Sequence, residues 1–285
     1  MLDCARALDS EQTEPGTILS AQPIMIYRFL IYLYLRCRTL RNSLLSAQRP
    51  PKQMPEHLRA EFTLNGTIPV KRWYVNDVNK KRLKWTLHSP EWNFEHVKAE
   101  KQRYYGNTDA LFYEALKSHS IRGKEVVILG SESPWYECIS CFYGGRVTTI
   151  EYRTVDCQIP ELRVLTPEEF SQNPQTFDVA VSISSVEHDG LGRYGDPIAP
   201  HGDLEAMQRL KNILTEDGVL FLSVPIGPDL VVWNSHRIYG PIRFPMLIDG
   251  WEVIQSFGFN ESLFDAKRLG HWYIQPVWIL KPQHS

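Results

Sequence analysis

Hydroxyl, carboxyl and imidazole groups follow an apolar segment near the middle of the chain. The apolar residues are Phe177–Ile183, and Ser184–Asp189 come directly after them. In an open parallel α/β sheet, ligands bind at the carboxyl ends of the strands. A histidine placed there titrates near neutral pH and can accept the proton of a hydroxyl group. We therefore take His188 as the first candidate base, Asp189 as its orienting group or a second base, and His236 as the second candidate.

Two further apolar segments end in small or acidic residues. Glu125–Leu129 is followed by Gly130, Ser131, Glu132 and Ser133, and Arg146–Ile150 is followed by Glu151 and Tyr152. A glycine at a sharp turn leaves backbone N–H groups free to face a ligand. An acid about twenty residues later is placed to accept hydrogen bonds from a ribose diol. The pair predicts a nucleoside site, although an ordinary turn and a solvated strand end remain the alternatives.

Strands and helices alternate through the second half of the chain. We predict helices at 135–142, from Thr166, and at 202–214, with strands at 162–165 and 219–224. At the tail we predict a helix over 247–257, then extended segments at 264–269 and 272–280. The fold class is therefore α/β, a Rossmann-like, mostly parallel sheet with a C-terminal antiparallel strand pair and an irregular N-terminal extension.

The predicted organisation has three parts. Residues 1–55 form a tail with an apolar basic segment and a proline-rich linker, 56–120 an aromatic-rich cap region, and 121–285 the Rossmann-like domain. The 285 residues can bury one sizeable core. A net charge of −2 gives no electrostatic argument for a nucleic-acid partner. Five cysteines, an odd and low number, fit a reducing compartment, so we predict a cytoplasmic protein.

Residues 24–41 combine apolar and basic side chains. Ile24–Leu35 is apolar apart from Arg28, but twelve residues fall short of the roughly 20 that a membrane-spanning helix needs. Two interpretations stay open: peripheral contact with a membrane surface, as an aromatic-rich basic helix can make, and a helix packed on the body of the protein.

Four segments together resemble the successive motifs of class I S-adenosylmethionine-dependent methyltransferases. They are Val126–Gly130, Thr149–Tyr152, Asp178–His188 and Leu214–Pro225. More narrowly, Ser184–Pro197 and Asn234–Gly240 resemble a nematode-type, methyltransferase-like family catalogued as a domain of unknown function. The resemblance implies S-adenosylmethionine as cofactor, bound by Gly130, Ser131, Glu132, Ser133, Glu151, Tyr152, Ser184 and Ser185. One position departs from the usual Gly-x-Gly-x-Gly pattern, since Glu132 stands where the central glycine belongs.

The loops after the later strands indicate a polar acceptor. Arg193, Tyr194, Asp196 and Arg237 are the predicted substrate-binding residues, and the predicted reaction is O-methylation of a small-molecule or glycan-type hydroxyl. The alternative is a non-catalytic, methyltransferase-like binding or scaffold protein that has lost cofactor use. A nicotinamide-dependent oxidoreductase is disfavoured, because its glycine triplet is missing at the first turn. The histidines and acids of these loops match no metal-ligand spacing, so no metal is predicted. Oligomeric state is left open.

Overall fold

Segments rich in valine and isoleucine form the strands at the centre of the molecule. The computed structural model describes residues 49–78, 82–265 and 274–283, which lie in one unit spanning Leu44–Ser285. In chain order the elements are α1 (Glu56–Phe62), β1 (Val70–Arg72), β2 (Leu83–Trp85), α2 (Phe94–Lys98), α3 (Asn107–Ser118), β3 (Glu125–Leu129), α4 (Trp135–Phe142), β4 (Arg146–Ile150), β5 (Val155–Cys157), β6 (Arg163–Leu165), α5 (Pro167–Gln172), β7 (Phe177–Ile183), α6 (Gly202–Ile213), β8 (Leu214–Ser223), β9 (Leu230–Trp233), β10 (His236–Ile238), α7 (Arg243–Leu247), β11 (Trp251–Phe257) and β12 (Val277–Pro282), with 3₁₀ turns at Val186–His188 and Glu261–Asp265.

The main sheet of the described region has the order β11-β12-β8-β7-β3-β4-β6. Strands β6, β4, β3, β7 and β8 run parallel, while β12 is antiparallel to β8 and β11 is antiparallel to β12. The chain leaves β3 toward β4 and β6 on one side, then returns to β7 and β8 on the other. This reversal of strand order opens a crevice at the carboxyl ends of β3 and β7, where open α/β sheets bind ligands.

Both faces of the sheet are covered by helices. On one face, α3 and α4 bury Phe112, which meets Phe221 of β8 edge to face with ring centroids 5.9 Å apart. On the other face, α6 and α7 bury Met207 and Phe244 against β7, β8 and β12. A parallel sheet buried on both faces needs apolar residues at consecutive positions, and Val126–Ile128 are all at most 2% exposed.

The predicted Rossmann-like sheet and its C-terminal antiparallel strand pair are confirmed, but the predicted helix over 247–257 is wrong. Helix α7 ends at Leu247, and Trp251–Phe257 is an edge strand paired with β12. Val253 and Ile254 are nearly half exposed, and β-branched residues on such a pleated surface favour a strand. The predicted extended segment 264–269 begins in the 3₁₀ turn Glu261–Asp265, and residues 266–273 lie outside the described ranges.

The proline-rich segment and the region after it contact the main body. The indole N–H of Trp233 donates to the carbonyl of Pro51 at 3.1 Å, and Met54 and Phe62 pack with Trp233 in a small third cluster. Strand β1 extends β9 in parallel. The three-part division of the chain stays a prediction, and residues 24–41 lie outside the described ranges. Within those ranges, no helix has the length and apolar character needed to cross a membrane.

One fully buried ionic cluster supports the loop between β7 and α6. Asp203 accepts hydrogen bonds from Arg243 at 2.6 and 2.9 Å and from the Tyr239 hydroxyl at 3.0 Å, and the Nε of Arg237 lies 3.6 Å away. Burial opposes the charged form of Asp203, but the two guanidinium groups outweigh it and lower the pKa of this carboxyl. Because Arg237 and Arg243 also donate to the carbonyl of Pro200, the cluster holds the loop as well.

We expect Asp203→Asn to lower the free energy of unfolding by about 3–5 kcal/mol, because the change leaves two buried guanidinium groups without their acid. Urea unfolding measures this loss. Asp217→Asn is the matched control, since Asp217 is 93% exposed in its ion pair with Lys281 and should cost about 0–1 kcal/mol. Equal losses in the two variants would contradict the assignment.

Candidate functional site

The turn after β3 lies directly against the turn after β7. Gly130 has a φ of +65°, and a Cβ built on it would come within 2.5 Å of the Ser185 Oγ. A side chain at this position would therefore meet both a left-handed backbone and a steric conflict. The two turns approach so closely only because residue 130 is glycine.

Glu151 at the end of β4 reaches across to the same turn. Its Oε2 accepts the backbone N–H of Ser131 at 2.7 Å, and its Oε1 accepts the N–H of Arg153 at 3.0 Å. The Arg153 Nε also approaches Oε1, at 3.3 Å. Glu151 is 6% exposed. The acid predicted to follow the second strand thus lies next to the predicted glycine turn.

Glu132, which replaces the central glycine, is held by neighbouring polar groups. The Tyr104 hydroxyl donates to its Oε2 at 3.3 Å, and the Arg153 guanidinium lies 3.3 Å from its Oε1. Arg153 therefore bridges Glu132 and Glu151, with only 9% of its own side chain exposed. Its guanidinium also lies 5.7 Å from the ring centre of Tyr194. Two carboxylates and one guanidinium make a compact charged group at the ends of β3 and β4.

The end of β7 carries a second polar group, built on an unusual backbone conformation. Ser184 has a φ of +54°, and its N–H donates to the carbonyl of Ser223 on β8. Its hydroxyl donates to the Oε1 of Glu187 at 2.6 Å, and the Tyr105 hydroxyl hydrogen-bonds to the same serine side chain. The strained serine therefore links a tyrosine of the cap region to a buried acid.

Three carboxyl groups of the site titrate near neutral pH, and burial raises the pKa of one of them, Asp189, to about 7. Burial raises the pKa of Glu187 to about 7 and the pKa of Glu137 to about 7, and both side chains are 0% exposed. Glu137 contacts the hydroxyls of Thr149 and Ser131, at 2.9 and 3.1 Å. The Ser131 hydroxyl has one proton and also lies 2.8 Å from the carbonyl of Ser133, to which it can donate that proton. A protonated Glu137 can then donate its own proton to the Ser131 oxygen, so that both hydrogen bonds form.

The two candidate histidines lie side by side, with ring centroids 6.4 Å apart. The Nδ1 of His188 is 2.6 Å from the carbonyl of Ser235, which can only accept, so Nδ1 carries the proton. Burial and Arg193 lower the pKa of His188 to about 3, and the same two causes lower the pKa of His236 to about 4. Both imidazoles are therefore neutral at physiological pH. The structure brings the pair together and gives each a weakly basic ring.

The four predicted substrate-binding residues divide into two kinds. Arg193 and Tyr194 lie beside the histidines, because the guanidinium of Arg193 is 4.9 Å from the Tyr194 ring centre and Tyr194 meets His188 edge to face at 5.6 Å. Asp196 instead accepts the backbone N–H groups of three loop residues, and fully buried Arg237 donates to loop carbonyls. Their surroundings favour a role in shaping this loop over the direct acceptor contact expected from the sequence.

The remaining predicted positions lie around these groups. Tyr152 follows Glu151 and is 53% exposed, and the carbonyl of Ser133 accepts the Ser131 hydroxyl. Asp189 lies 3.7 Å from the guanidinium of Arg209 on α6. Cys138 and Cys141 lie on α4, and burial raises the pKa of each thiol to about 12. Among the described residues, no group of three or more histidine, cysteine or acidic side chains is arranged to hold a metal ion.

Several residues that complete the site were not predicted from the sequence. Arg153, Tyr104 and Tyr105 hold the charged and hydroxyl groups, and Asp77 accepts from the Nε of Arg193 at 2.9 Å. Arg153 lies two residues after the predicted acid, a position from which a long side chain can reach back to the turn. Tyr105 and Asp77 lie far in sequence from the ends of β3, β4 and β7, so only the tertiary fold reveals their roles.

One comparison with known proteins identifies a family. The family model described as "Caenorhabditis protein of unknown function, DUF268" matches residues 123–268, just over half of the chain, and confirms the narrower resemblance. A search of curated proteins found no match. The strand order and directions given above establish the fold independently of the similar solved structures.

Three solved structures illustrate the similarity. A ribosomal protein L11 methylase from Lactobacillus delbrueckii subsp. bulgaricus is 11% identical over 64% of this chain and 81% of that chain, with a TM-score of 0.40. The 1,6-didemethyltoxoflavin-N1-methyltransferase of Burkholderia thailandensis, solved with 1,6-didemethyltoxoflavin and S-adenosylhomocysteine, is 14% identical over 60% and 76%, with a TM-score of 0.40. A TehB-like S-adenosylmethionine-dependent methyltransferase from Corynebacterium glutamicum is 15% identical over 67% and 94%, with a TM-score of 0.38.

The buried carboxyl of Glu187 makes stability depend on pH. Its pKa rises from 4.5 to about 7 on folding, so the folded protein binds more protons than the unfolded chain between these values. Stability from this group is fully present below pH 4.5 and is lost as the pH rises through about 7, by about 3 kcal/mol in total. Urea unfolding at about pH 5 and about pH 8 should show this loss in the wild type and a smaller one in Glu187→Gln.

Glu137→Gln is the companion variant, because Glu137 has the same raised pKa and should account for a separate part of the loss. If Glu187→Gln kept the full pH dependence of the wild type, the buried and protonated state of Glu187 would be wrong.

Proposed function

The chain belongs to the family described as "Caenorhabditis protein of unknown function, DUF268", and from the site within its matched residues we propose that it is an S-adenosylmethionine-dependent methyltransferase. The reaction that we propose is O-methylation of a small-molecule or glycan-type hydroxyl. The observation that carries the proposal is the contact between three strand ends at the switch point of the sheet. There the Gly130–Ser131 turn contacts the Glu151 carboxylate on one side and the Ser184–Ser185 turn on the other.

The polar groups of the site fit the adenosine half of the cofactor. A carboxylate offers about four acceptor positions, and Glu151 uses one on Oε2 for Ser131. The long 3.3 Å contact from the Arg153 Nε is the weakest of its bonds and the easiest to exchange for a ribose hydroxyl. We assign the ribose to Glu151, the adenine to the exposed face of Tyr152, and the remaining cofactor contacts to Gly130, Ser131, Ser133, Ser184 and Ser185.

The charges of the site fit a cationic ligand. Three carboxylates, Glu132, Glu151 and Asp77, face two guanidinium groups, Arg153 and Arg193, while the neighbouring histidines are neutral. Carboxylates in a partly buried site favour a sulfonium ligand over its neutral thioether product. Because Arg153 and Tyr104 hold Glu132, its carboxylate joins this charge balance, and we assign it a place beside the cofactor's amino-acid portion.

On the acceptor side, the protein's own groups orient a hydroxyl. We assign Arg193 and Tyr194 to contacts with the acceptor, His188, His236 and Asp189 to its reactive end, and Asp196 and Arg237 to the shape of the loop. When bound, S-adenosylmethionine supplies an activated methyl group, so the protein's contribution is to position the acceptor and take up its proton. We further propose a cytoplasmic location and no nucleic-acid partner, and we keep peripheral membrane contact of residues 24–41 as a separate proposal.

A non-catalytic binding or scaffold protein is the second candidate function. The observation that favours it is Glu132, since a glycine at this position would allow a closer backbone approach to the cofactor. The Arg153 bridge is compatible with either function, because it can neutralise Glu132 beside a ligand or close the site permanently. Binding of the cofactor separates the two.

We expect Glu151→Ala to weaken S-adenosylmethionine binding by about 1.5–3 kcal/mol, roughly ten- to hundredfold, because hydrogen bonds to a charged group are lost. Calorimetric titration gives the affinity. The matched control is Glu125→Ala at the amino end of β3, whose exposed ion pair with Arg146 lies at the opposite edge of the sheet. Unchanged affinity in Glu151→Ala would remove this residue from the cofactor site, and no binding by the wild type at millimolar concentration would favour the scaffold function.

A further inference from the structure

Glu187 is a buried acid without a proposed contact to the cofactor or the acceptor. Its side chain is 0% exposed, and its Oε1 accepts the Ser184 hydroxyl proton at 2.6 Å. No hydrogen-bond partner of its Oε2 is present among the described residues. A buried carboxylate oxygen without a donor is costly, so the protein keeps this group for a reason other than stability.

The hydrogen bonds around Ser184 leave room for one more donor. A serine hydroxyl has one proton and two acceptor lone pairs. The proton goes to Glu187, and the Tyr105 hydroxyl, which hydrogen-bonds to the same serine oxygen, takes up at most one lone pair. The second lone pair can accept a hydroxyl proton at the carboxyl end of β7, and Ser184 is only partly buried there. Ser184 can therefore relay a proton from a hydroxyl at the end of β7 to Glu187.

His188 is less suited to the same task. Its Nδ1 proton is committed to the Ser235 carbonyl, and its Nε2 lies 3.6 Å from the Glu187 Oε1. With the pKa of His188 lowered to about 3, the imidazole is a weak base at neutral pH, whereas burial holds the pKa of Glu187 near 7. A group whose pKa lies near the working pH is the more effective proton acceptor.

We infer that Glu187 is the proton acceptor of the proposed methyl transfer, acting through the Ser184 hydroxyl, an inference that rests on the proposed function. The acceptor O–H bond breaks and its proton moves to the Ser184 Oγ, while the serine proton moves to the Glu187 Oε1. The acceptor oxygen forms a bond to the methyl carbon, the methyl–sulfur bond breaks, and sulfur keeps the electron pair as a thioether. Anionic Glu187 and the sulfonium ligand both become neutral. Glu187 is thus a positioning and proton-storing residue, because it meets the acceptor through Ser184.

The charge state of Glu187 depends on the groups that face it. The Ser184 hydrogen bond and Arg193 favour its anionic form, while burial and Asp189 oppose it. Neutral His188 and the phenols of Tyr105 and Tyr239 complete its surroundings, and Arg237 donates to its backbone carbonyl. A sulfonium ligand at the end of β7 adds one positive charge, which lowers the pKa of the Glu187 carboxyl. Glu187 then releases its proton when the ligand binds.

The test measures proton release when S-adenosylmethionine binds to the full-length protein. Calorimetric titrations at about pH 6, in buffers of different ionisation enthalpy, should show release of close to one proton by the wild type, and none at about pH 8.5. Glu187→Gln should bind the cofactor with this release lost. Glu125→Gln, at the amino end of β3 and away from the cofactor site, is the control and should keep it. S-adenosylhomocysteine, which has a neutral thioether in place of the sulfonium, should release less than S-adenosylmethionine.

Binding without proton release at about pH 6, or equal release by Glu187→Gln and the wild type, would overturn the inference and leave the proposed function intact. The comparison of the wild type at the two pH values needs no variant, so the inference stays testable if Glu187→Gln does not fold. Absence of any S-adenosylmethionine binding by the wild type would instead overturn the proposed function on which the inference rests.

Discussion

Strand β3 pairs in parallel with β4 on one side and with β7 on the other. The chain adds β4 and β6 on the first side before it crosses over to add β7 and β8 on the second. Every group of the candidate site depends on this arrangement. It places Gly130, Glu151 and Ser184 at one edge of the sheet although they are separated by more than twenty positions in the chain. The hydrogen bond from the Ser131 N–H to Glu151 joins the ends of β3 and β4. The close approach of Gly130 to Ser185 brings the ends of β3 and β7 into contact.

Charge in the site is organised by burial as much as by ion pairs. Arg153 joins Glu132 to Glu151 at the surface edge, where water still reaches Glu132. Deeper in the molecule, Glu137 and Glu187 have no cationic partner within hydrogen-bonding distance among the described residues, and burial keeps them protonated at mildly acidic pH. Asp203 is equally buried but lies between two arginines, so it stays ionised and braces the loop. Similar carboxyl groups thus have different charge states because their neighbours differ.

The sequence predicted the strands that define the sheet, because short apolar runs ending in glycine or acid have few other structural explanations. Gly130 and Glu151 could be placed for that reason. Arg237 and Asp196 could not, since a polar residue in a loop sequence gives no sign of whether its side chain faces a ligand or the backbone. The prediction of a helix over Trp251–Phe257 was wrong, because the strand conformation depends on pairing with β12. That pairing is a tertiary contact between segments about 25 residues apart, which the local sequence does not show. Tyr105 and Asp77 contribute through contacts that only the folded chain creates.

The central claim is that the carboxyl edge of β3, β4 and β7 binds S-adenosylmethionine. Hydrogen exchange of the backbone amides, measured with and without millimolar cofactor, tests it without knowledge of the acceptor. We expect slower exchange in residues 130–133, 151–153 and 184–188, with no change in the edge strand Trp251–Phe257. Unchanged exchange throughout, or protection confined to segments away from these strand ends, would contradict it.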